Sequence, residues 1–269
     1  MSTLPDADAI TAGVAGTRWN SVVVVPETGS TNDDLATGLR AGEEPGRVLI
    51  ADLQTAGRGR HHRSWGAPAG SQLAISVSVA VPGTAAPRAG WLSLVMGTAA
   101  VAAVRAVAGL DAGLKWPNDL LLPDTAGRGG KTAGLLAELV VPVGGGDSTA
   151  VLGMGLNTTL AEPDLPVPTA TSLALAGAST TDRDALAVAY LRALDAGLTR
   201  WAEDPAGTRD AYLGVCVTIG QDVNVSLPNG TVVTGTATGV DDEGRILVRA
   251  AGGETQALSA GDVTHLRPA

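Results

Sequence analysis

Gln54-Thr55-Ala56-Gly57-Arg58-Gly59-Arg60-His61-His62-Arg63-Ser64-Trp65 is the stretch on which the reading of this chain turns. Three arginines, two histidines and two glycines stand between Gly57 and Arg63. Apolar runs flank the segment, Val48-Leu49-Ile50 before it and Leu73 to Val81 after it. So polar a segment is neither a core strand nor a stable helix. It reads as a mobile cationic loop held between two strands. Glycine lets backbone N–H groups approach an anion, and arginine offers a planar fork to phosphate or carboxylate.

The charge around the loop supports an anion site. The chain is acidic, with a formal net charge of −9. Yet no Asp or Glu stands between Asp52 and Asp111, and five arginines do. A buried strand and helix over 72–110 account for much of that interval, but not for the cluster Arg58, Arg60, Arg63.

Outward from the loop, Arg47 to Gln54 reads as a strand. Before it, Val22 to Val25 is a β-branched strand ended by Pro26. Ser30 or Thr31 caps a helix that runs to about Ala41-Gly42, with Asp33 and Asp34 in its first turn. After the loop, Gln72 to Val81 alternates apolar and polar residues, the pattern of a half-buried strand. Pro87 to Ala108 is an Ala-rich helix buried on most sides. Leu114 to Leu122 is a hairpin turning at Pro117-Asn118-Asp119. Strands follow at Lys131 to Val141, after the Gly127 to Gly130 turn, and at Ala150 to Asn157, after a second glycine turn. In the last strand Val151, Gly153, Gly155 and Asn157 leave one face nearly bare. That suits either close packing of another backbone or a floor for a ligand. Asp182 to Trp201 is amphipathic, and a shorter helix covers Pro205 to Leu213.

From Val217 the character changes to short strands at Val223 to Leu227, Thr231 to Val240 and Arg245 to Ala250, with a closing stretch from Thr255 to Leu266. Such strands predict a small β-barrel. The expected organisation is a polar lead over 1–20, a main domain over 21–216 and a barrel over 217–269. The fold class is α+β, a mixed or antiparallel sheet flanked by helices.

The totals exclude several functions. A general nucleic-acid binder needs a basic surface, which this chain lacks. The single cysteine, Cys216, rules out an internal disulfide and a cysteine metal site, and its apolar neighbours point to a buried thiol. No stretch approaches the ~20 apolar residues of a membrane span. The first twenty residues lack a basic segment followed by an apolar one, so no signal peptide is read and a cytoplasmic location is expected.

Five segments occur in order: Ser30-Thr31-Asn32; the loop from Gly57 to Trp65; Lys115-Trp116-Pro117-Asn118-Asp119; Lys131-Thr132-Ala133-Gly134 continuing to Glu138; and Gly153-Met154-Gly155-Leu156-Asn157. Together they resemble the biotin protein ligase family, over about 22–269. The resemblance implies a class II synthetase-like catalytic domain with an SH3-like C-terminal barrel. It implies ATP-dependent formation of biotinyl-5′-AMP and transfer of biotin to a lysine of a biotin carboxyl carrier domain. ATP, biotin and Mg²⁺ are the implied substrates and cofactor. Binding to nucleic acid or membrane is not expected, and the chain is expected to be a monomer or weak homodimer.

The roles implied by resemblance are as follows. Lys131, Arg58 and Arg60 are the catalytic candidates. Ser30, Thr31, Asn32, Gln54, Gly57, Gly134, Gly153 and Gly155 join Lys131 around biotin. Arg63, Trp65, Asn118 and Asn157 join Arg58, Arg60 and Lys131 around the nucleotide. Trp65 either covers the adenylate or anchors the loop in the core, and Trp116 reads as core. His61 and His62 depart from a common family pattern with further basic residues there; no metal ligands are identified. Some family members carry an N-terminal DNA-binding domain, and about twenty polar residues cannot hold one, so a ligase without repressor activity is expected. The alternatives are a lipoate or octanoate ligase or transferase, and a non-catalytic biotin- or nucleotide-binding regulator.

Overall fold

The computed structural model describes residues 4–123, 130–140, 148–259 and 261–265, the His62 side chain excepted. Strands β1 (Ser21–Thr28), β2 (Arg47–Gln54), β3 (Gln72–Ala80), β4 (Gly113–Lys115), β5 (Asp119–Leu122), β6 (Gly130–Val140) and β7 (Thr149–Asn157) form one sheet. Its order is β1-β2-β3-β7-β6-β5-β4. The β1–β2 pair is parallel, because helix α2 (Thr31–Arg40) crosses between them; every other pair is antiparallel. Alternation along β2 decides what each face meets. Val48 and Ile50 enter the main core with α3 (Leu92–Ala103) and α4 (Arg183–Glu203), whereas Leu49 joins Leu35, Ala36, Val140 and Val151 beneath α2.

Five expectations from the sequence need correction. Residues 4–20 are more than a polar lead. Asp6 caps α1 (Ala7–Gly13) by accepting from the N–H groups of Asp8 and Ala9, and Ile10, Val14 and Trp19 are buried. Trp19 Nε1 donates to the Leu191 carbonyl at 2.9 Å. These three buried residues carry no visible period in the sequence, and α4 supplies much of their cover. Second, Pro26 does not end β1. The strand runs to Thr28, with pairing at Val25 and Glu27 but not at Pro26. β1 is an edge strand, where a missing N–H is tolerated.

Third, β3 is buried on both faces, not half-buried. Gln72, Ser76 and Ser78 are as inaccessible as Leu73, Ile75 and Val77. The polar face of β3 is covered by α2 and the loop, so alternation there separates core from site rather than core from solvent. Fourth, the C-terminal strands β8 (Asp222–Ser226), β9 (Val232–Val240), β10 (Ile246–Arg249), β11 (Thr255–Leu258) and β12 (Asp262–His265) form an antiparallel sheet in the order β11-β10-β9-β8-β12. Among the described residues its edges do not pair, so the sheet is open rather than a closed barrel.

The apolar segment 86–108 is also long and apolar enough to span a membrane by length and composition, contrary to the expectation above. It consists of a 3₁₀ turn, α3 and a closing π turn, and most of it is buried against α4 and the sheet. It is the central core helix. The hairpin, α4 and α5 (Pro205–Leu213) stand where their patterns place them. Cys216 is a buried free thiol that donates to Tyr212 Oη. Residues 127–129 of the first glycine turn, Val141 and the second glycine turn lie outside the described residues.

The C-terminal sheet docks through tryptophan. Trp91 Nε1 donates to the Asp241 and Asp242 carbonyls at 3.1 and 3.0 Å, and Trp116 Nε1 to the Gly244 carbonyl at 3.2 Å. At this junction His265 Nε2 lies 3.1 Å from Thr218 Oγ1. Burial, and then the charge of Lys115, push the imidazole below its ordinary value of 6.5. A histidine depressed in the folded state is neutral there while the unfolded chain takes up a proton. Its contribution to stability is therefore complete above pH about 6.5 and is lost as pH falls through the folded value. Replacing it by Gln is expected to flatten the fall in unfolding free energy below that pH, read by urea denaturation; an unchanged slope would contradict this.

Candidate active site

One cavity of about 350 Å³ opens on the polar face of the main sheet and collects the segments singled out above. Its floor is β6 and β7 at Gly134, Gly153 and Gly155. These glycines leave the face bare for side chains rather than for another backbone. A Cβ at Gly153 would overlap Asn32 Oδ1, and one at Gly155 would overlap the Trp65 indole. Gly134 approaches the same indole.

The N-terminus of α2 forms one wall. Ser30 caps the helix, its Oγ accepting from Asp33 N at 3.5 Å, and Thr31 and Asn32 are buried. Gln54, at the end of β2, accepts from Thr31 N at 2.9 Å. The cap and the pocket wall are thus one structure, so Ser30 and Thr31 serve both purposes. The β4–β5 hairpin forms the opposite wall with Lys115, Trp116, Pro117, Asn118 and Asp119, and Asn118 Nδ2 donates to the Leu135 carbonyl at 3.0 Å. Trp116 is core, as its sequence context suggested.

Lys131 rises from β6 toward this hairpin. Its backbone is held on both sides, by pairing with Leu121 and by hydrogen bonds to Thr169 and Thr171. Its Nζ lies 2.6 Å from Asp119 Oδ1 and 5.6 Å from the Trp65 ring centroid. Asp119 Oδ2 also faces Lys115 Nζ at 3.9 Å. One carboxylate therefore balances two lysines, an arrangement with cationic charge to spare for a bound anion.

The loop closes over the pocket with each arginine on a different anchor. Arg58 pairs with Asp33 at 2.7 Å and Glu138 at 2.6 Å. Arg60 NH1 reaches Asn118 Oδ1 at 3.5 Å. Burial pulls the Arg60 guanidinium below its ordinary value, although the charges of Asp262 and Asp119 oppose this. Arg63 forms an ion pair with Asp262 of β12, so the C-terminal sheet supplies part of the rim. Trp65 is half-buried, and its Nε1 donates to Gln72 Oε1 at 2.9 Å. His61 is exposed with φ 54°, the left-handed region.

Two expected residues do not line this cavity. The Asn157 side chain is buried and donates to the Thr171 carbonyl at 3.0 Å, which ties the end of β7 to the following segment. Gly57 lies at the base of the loop, where a Cβ would overlap the Trp65 carbonyl; its smallness lets the loop close on itself. Ser76 and Asp262 were not singled out by sequence reasoning, and Asp119 and Glu138 stood in quoted segments without a role of their own. The alternating face of β3 was the available signal for Ser76. Nothing local marked Asp262, which lies 199 residues from Arg63.

The chain is 44% identical to a biotin–[acetyl-CoA-carboxylase] ligase of Mycobacterium tuberculosis, over 94% of this chain and 92% of that one. It belongs to the biotin protein ligase family. Residues 24–157 match the biotin/lipoate A/B protein ligase family, and residues 218–266 match the biotin protein ligase C terminal domain. A bifunctional ligase/repressor of Bacillus spizizenii is 29% identical over 88% of this chain and 71% of its own. The fold is that of an Aquifex aeolicus biotin protein ligase in complex with biotin and ATP. The TM-score is 0.72 at 23% identity, over 93% of this chain and all of that one.

In a biotin protein ligase the bare floor has a measurable consequence. Gly155→Ala is expected to displace Trp65 and weaken binding of biotinyl-5′-AMP by about tenfold or more, since small misplacements in such sites are costly. Isothermal titration with the adenylate checks this, and unchanged affinity would mean that Trp65 is not held against the floor in the complex.

Proposed function

We propose that this chain joins biotin to ATP as biotinyl-5′-AMP and then transfers biotin to a lysine of the biotin carboxyl carrier domain of a carboxylase. The observation that carries this reading is the convergence of Lys131, Arg58 and Arg60 on one cavity above a glycine floor. In the first step the biotin carboxylate oxygen attacks the α-phosphorus of ATP, and the bond to the β,γ-pyrophosphate breaks. Two anions meet, and charge shifts toward the α-phosphoryl oxygens and the leaving group. Fixed cations stabilise that shift more than the separated substrates. Lys131 suits this task because its strand is held on both sides. Its Asp119 partner and the carboxylates on Arg58 keep these cations aligned until the substrates arrive.

In the second step the acceptor amine attacks the carbonyl carbon of the mixed anhydride, AMP departs, and the amine proton is lost. Water competes for the same carbonyl. The loop, with Arg58, Arg60 and Trp65 over the cavity, limits that competition. The hydroxyl and amide groups of Thr31, Asn32 and Gln54 on one wall of the cavity suit a ureido ring. Gly57 and Asn157 stay outside these roles; Asn118 and Arg63 remain at the nucleotide end.

Mg²⁺ fits this site in one way. Among the described residues no group of three or more His, Cys, Asp and Glu side chains is assembled to hold a metal. Asp119 and Asp262, the carboxylates that line the cavity, would be the residues within reach of a magnesium ion carried in with the triphosphate. When bound it supplies further neutralisation of phosphate charge. The division of labour follows the sheets: residues 21–216 carry the catalysis, and residues 217–269 contribute the rim.

Incubation with ATP, Mg²⁺ and either biotin or lipoate tests the reading. Biotinyl-5′-AMP and labelled carrier domain are expected with biotin. Adenylation of lipoate alone would favour the lipoate ligase alternative instead.

A further inference from the structure

A chain of hydrogen bonds crosses the cavity beneath the loop. Thr31 Oγ1 lies 2.7 Å from Ser76 Oγ, which donates to Asn32 Oδ1 at 2.7 Å. Asn32 Nδ2 donates to Glu138 Oε2 at 2.8 Å, and Arg58 NH2 donates to the same oxygen at 2.6 Å. From Ser76 onward the protons run one way. Ser76 gives its single proton to Asn32, and the Thr31 hydroxyl shares one proton between Ser76 Oγ and Gln54 Oε1, 3.0 Å away. The amide of Asn32 then presents Nδ2 to Glu138. Both donors converge on one oxygen of Glu138; an amide oxygen there could accept them too, but without the negative charge that pairs with Arg58.

We propose that Glu138 is a positioning residue of the ligation reaction, acting through Arg58 and rigidly linking that arginine to the floor at Asn32. This rests on the reading of Arg58 as a substrate-binding cation. Three observations carry it. Asn32 cannot retreat, because it is pressed against Gly153, where a Cβ would overlap its Oδ1. Glu138 stands on β6, paired with Val151 of β7, so its Cα is fixed by the sheet. Its side chain is the less exposed of the two carboxylates on Arg58, 28% against 53% for Asp33. Charged hydrogen bonds of this kind are stronger and more directional than neutral ones. Arg58 sits on a glycine-flanked loop, and Glu138 is the partner that gives its guanidinium a defined place.

A double-mutant cycle on the full-length chain tests the assignment. Glu138→Gln is expected to raise the KM for biotin by about tenfold and to lower kcat by less. Arg58→Ala is expected to lower kcat/KM by about a hundredfold. If Glu138 acts through Arg58, the double variant should be no worse than Arg58→Ala alone within about threefold. Losses that multiply, or a Glu138→Gln variant with wild-type constants, would overturn the proposal. Melting temperatures of all three variants separate a folding defect from a positioning one. If Glu138→Gln does not fold, Glu138→Asp replaces it in the cycle, with the same coupling expected and additivity again decisive. Failure of the wild-type chain to make biotinyl-5′-AMP would instead refute the proposed function, and this inference with it.

Discussion

Lys131→Ala is expected to lower the rate of biotinyl-5′-AMP formation by about 10²- to 10³-fold, the usual consequence of removing one preorganised donor from a developing charge. In the proposed mechanism the lysine supplies a full charge where phosphoryl and carboxylate oxygens meet, and Lys115, the other strand lysine at the cavity, is the more distant of the two from their shared Asp119. The substitution does a second thing. It frees one oxygen of Asp119, now 2.6 Å from Nζ, and leaves that carboxylate's charge less compensated beside the phosphates. Both effects act on the same step. The fold should be little affected, because the side chain is one-third exposed and the backbone hydrogen bonds of β6 do not involve it. Pyrophosphate release in single-turnover conditions reads the chemical step. A rate within threefold of the wild type would remove Lys131 from the mechanism.

Asp52→Ala is expected to destabilise the chain by about 3–5 kcal/mol, the range for breaking a buried ion pair from one side. Arg183 NH1 lies 2.6 Å from Asp52 Oδ1, and both side chains are largely inaccessible. The same nitrogen donates to the Gln72 carbonyl at 3.2 Å. Arg183 opens α4, so this contact fastens the helix to β2 and β3. Removing the carboxylate takes from the buried guanidinium an anionic partner 2.6 Å away. For a chain of this size the loss corresponds to a fall of about 6–20 °C in melting temperature. Asp52→Asn should lie between the two. Activity per folded molecule should persist, because Asp52 does not line the cavity. A change below 1 kcal/mol in urea unfolding would show that the pair is solvated or replaceable.

The contrast between these residues shows what local pattern can carry. Lys131 and the arginines were legible because cations beside glycines have few structural uses. The strands β2, β6 and β7 and helix α4 were legible because their periods are uninterrupted. Asp52 and Arg183 were not, since 131 residues separate them and neither stands in a motif. The same holds for Arg63 and Asp262. Helix α1 was missed because three apolar residues acquire meaning only when α4 covers them. Asn157 was assigned to the nucleotide from its motif, and the structure gives its amide to the Thr171 carbonyl.

By itself the sequence determined the local chemistry: a cationic glycine loop, a helix cap of hydroxyls, a strand with one bare face and a lysine within a strand. Each follows from residue type and short spacing, which act before the chain folds. Tertiary structure decided which of these meet and what holds them. It laid Trp65 on Gly155, joined Asn32 to Glu138 and Arg58, set Lys131 against Asp119, and brought β12 to the rim. Those contacts depend on sheet order and on packing between distant segments, and neither is encoded in a short window of sequence.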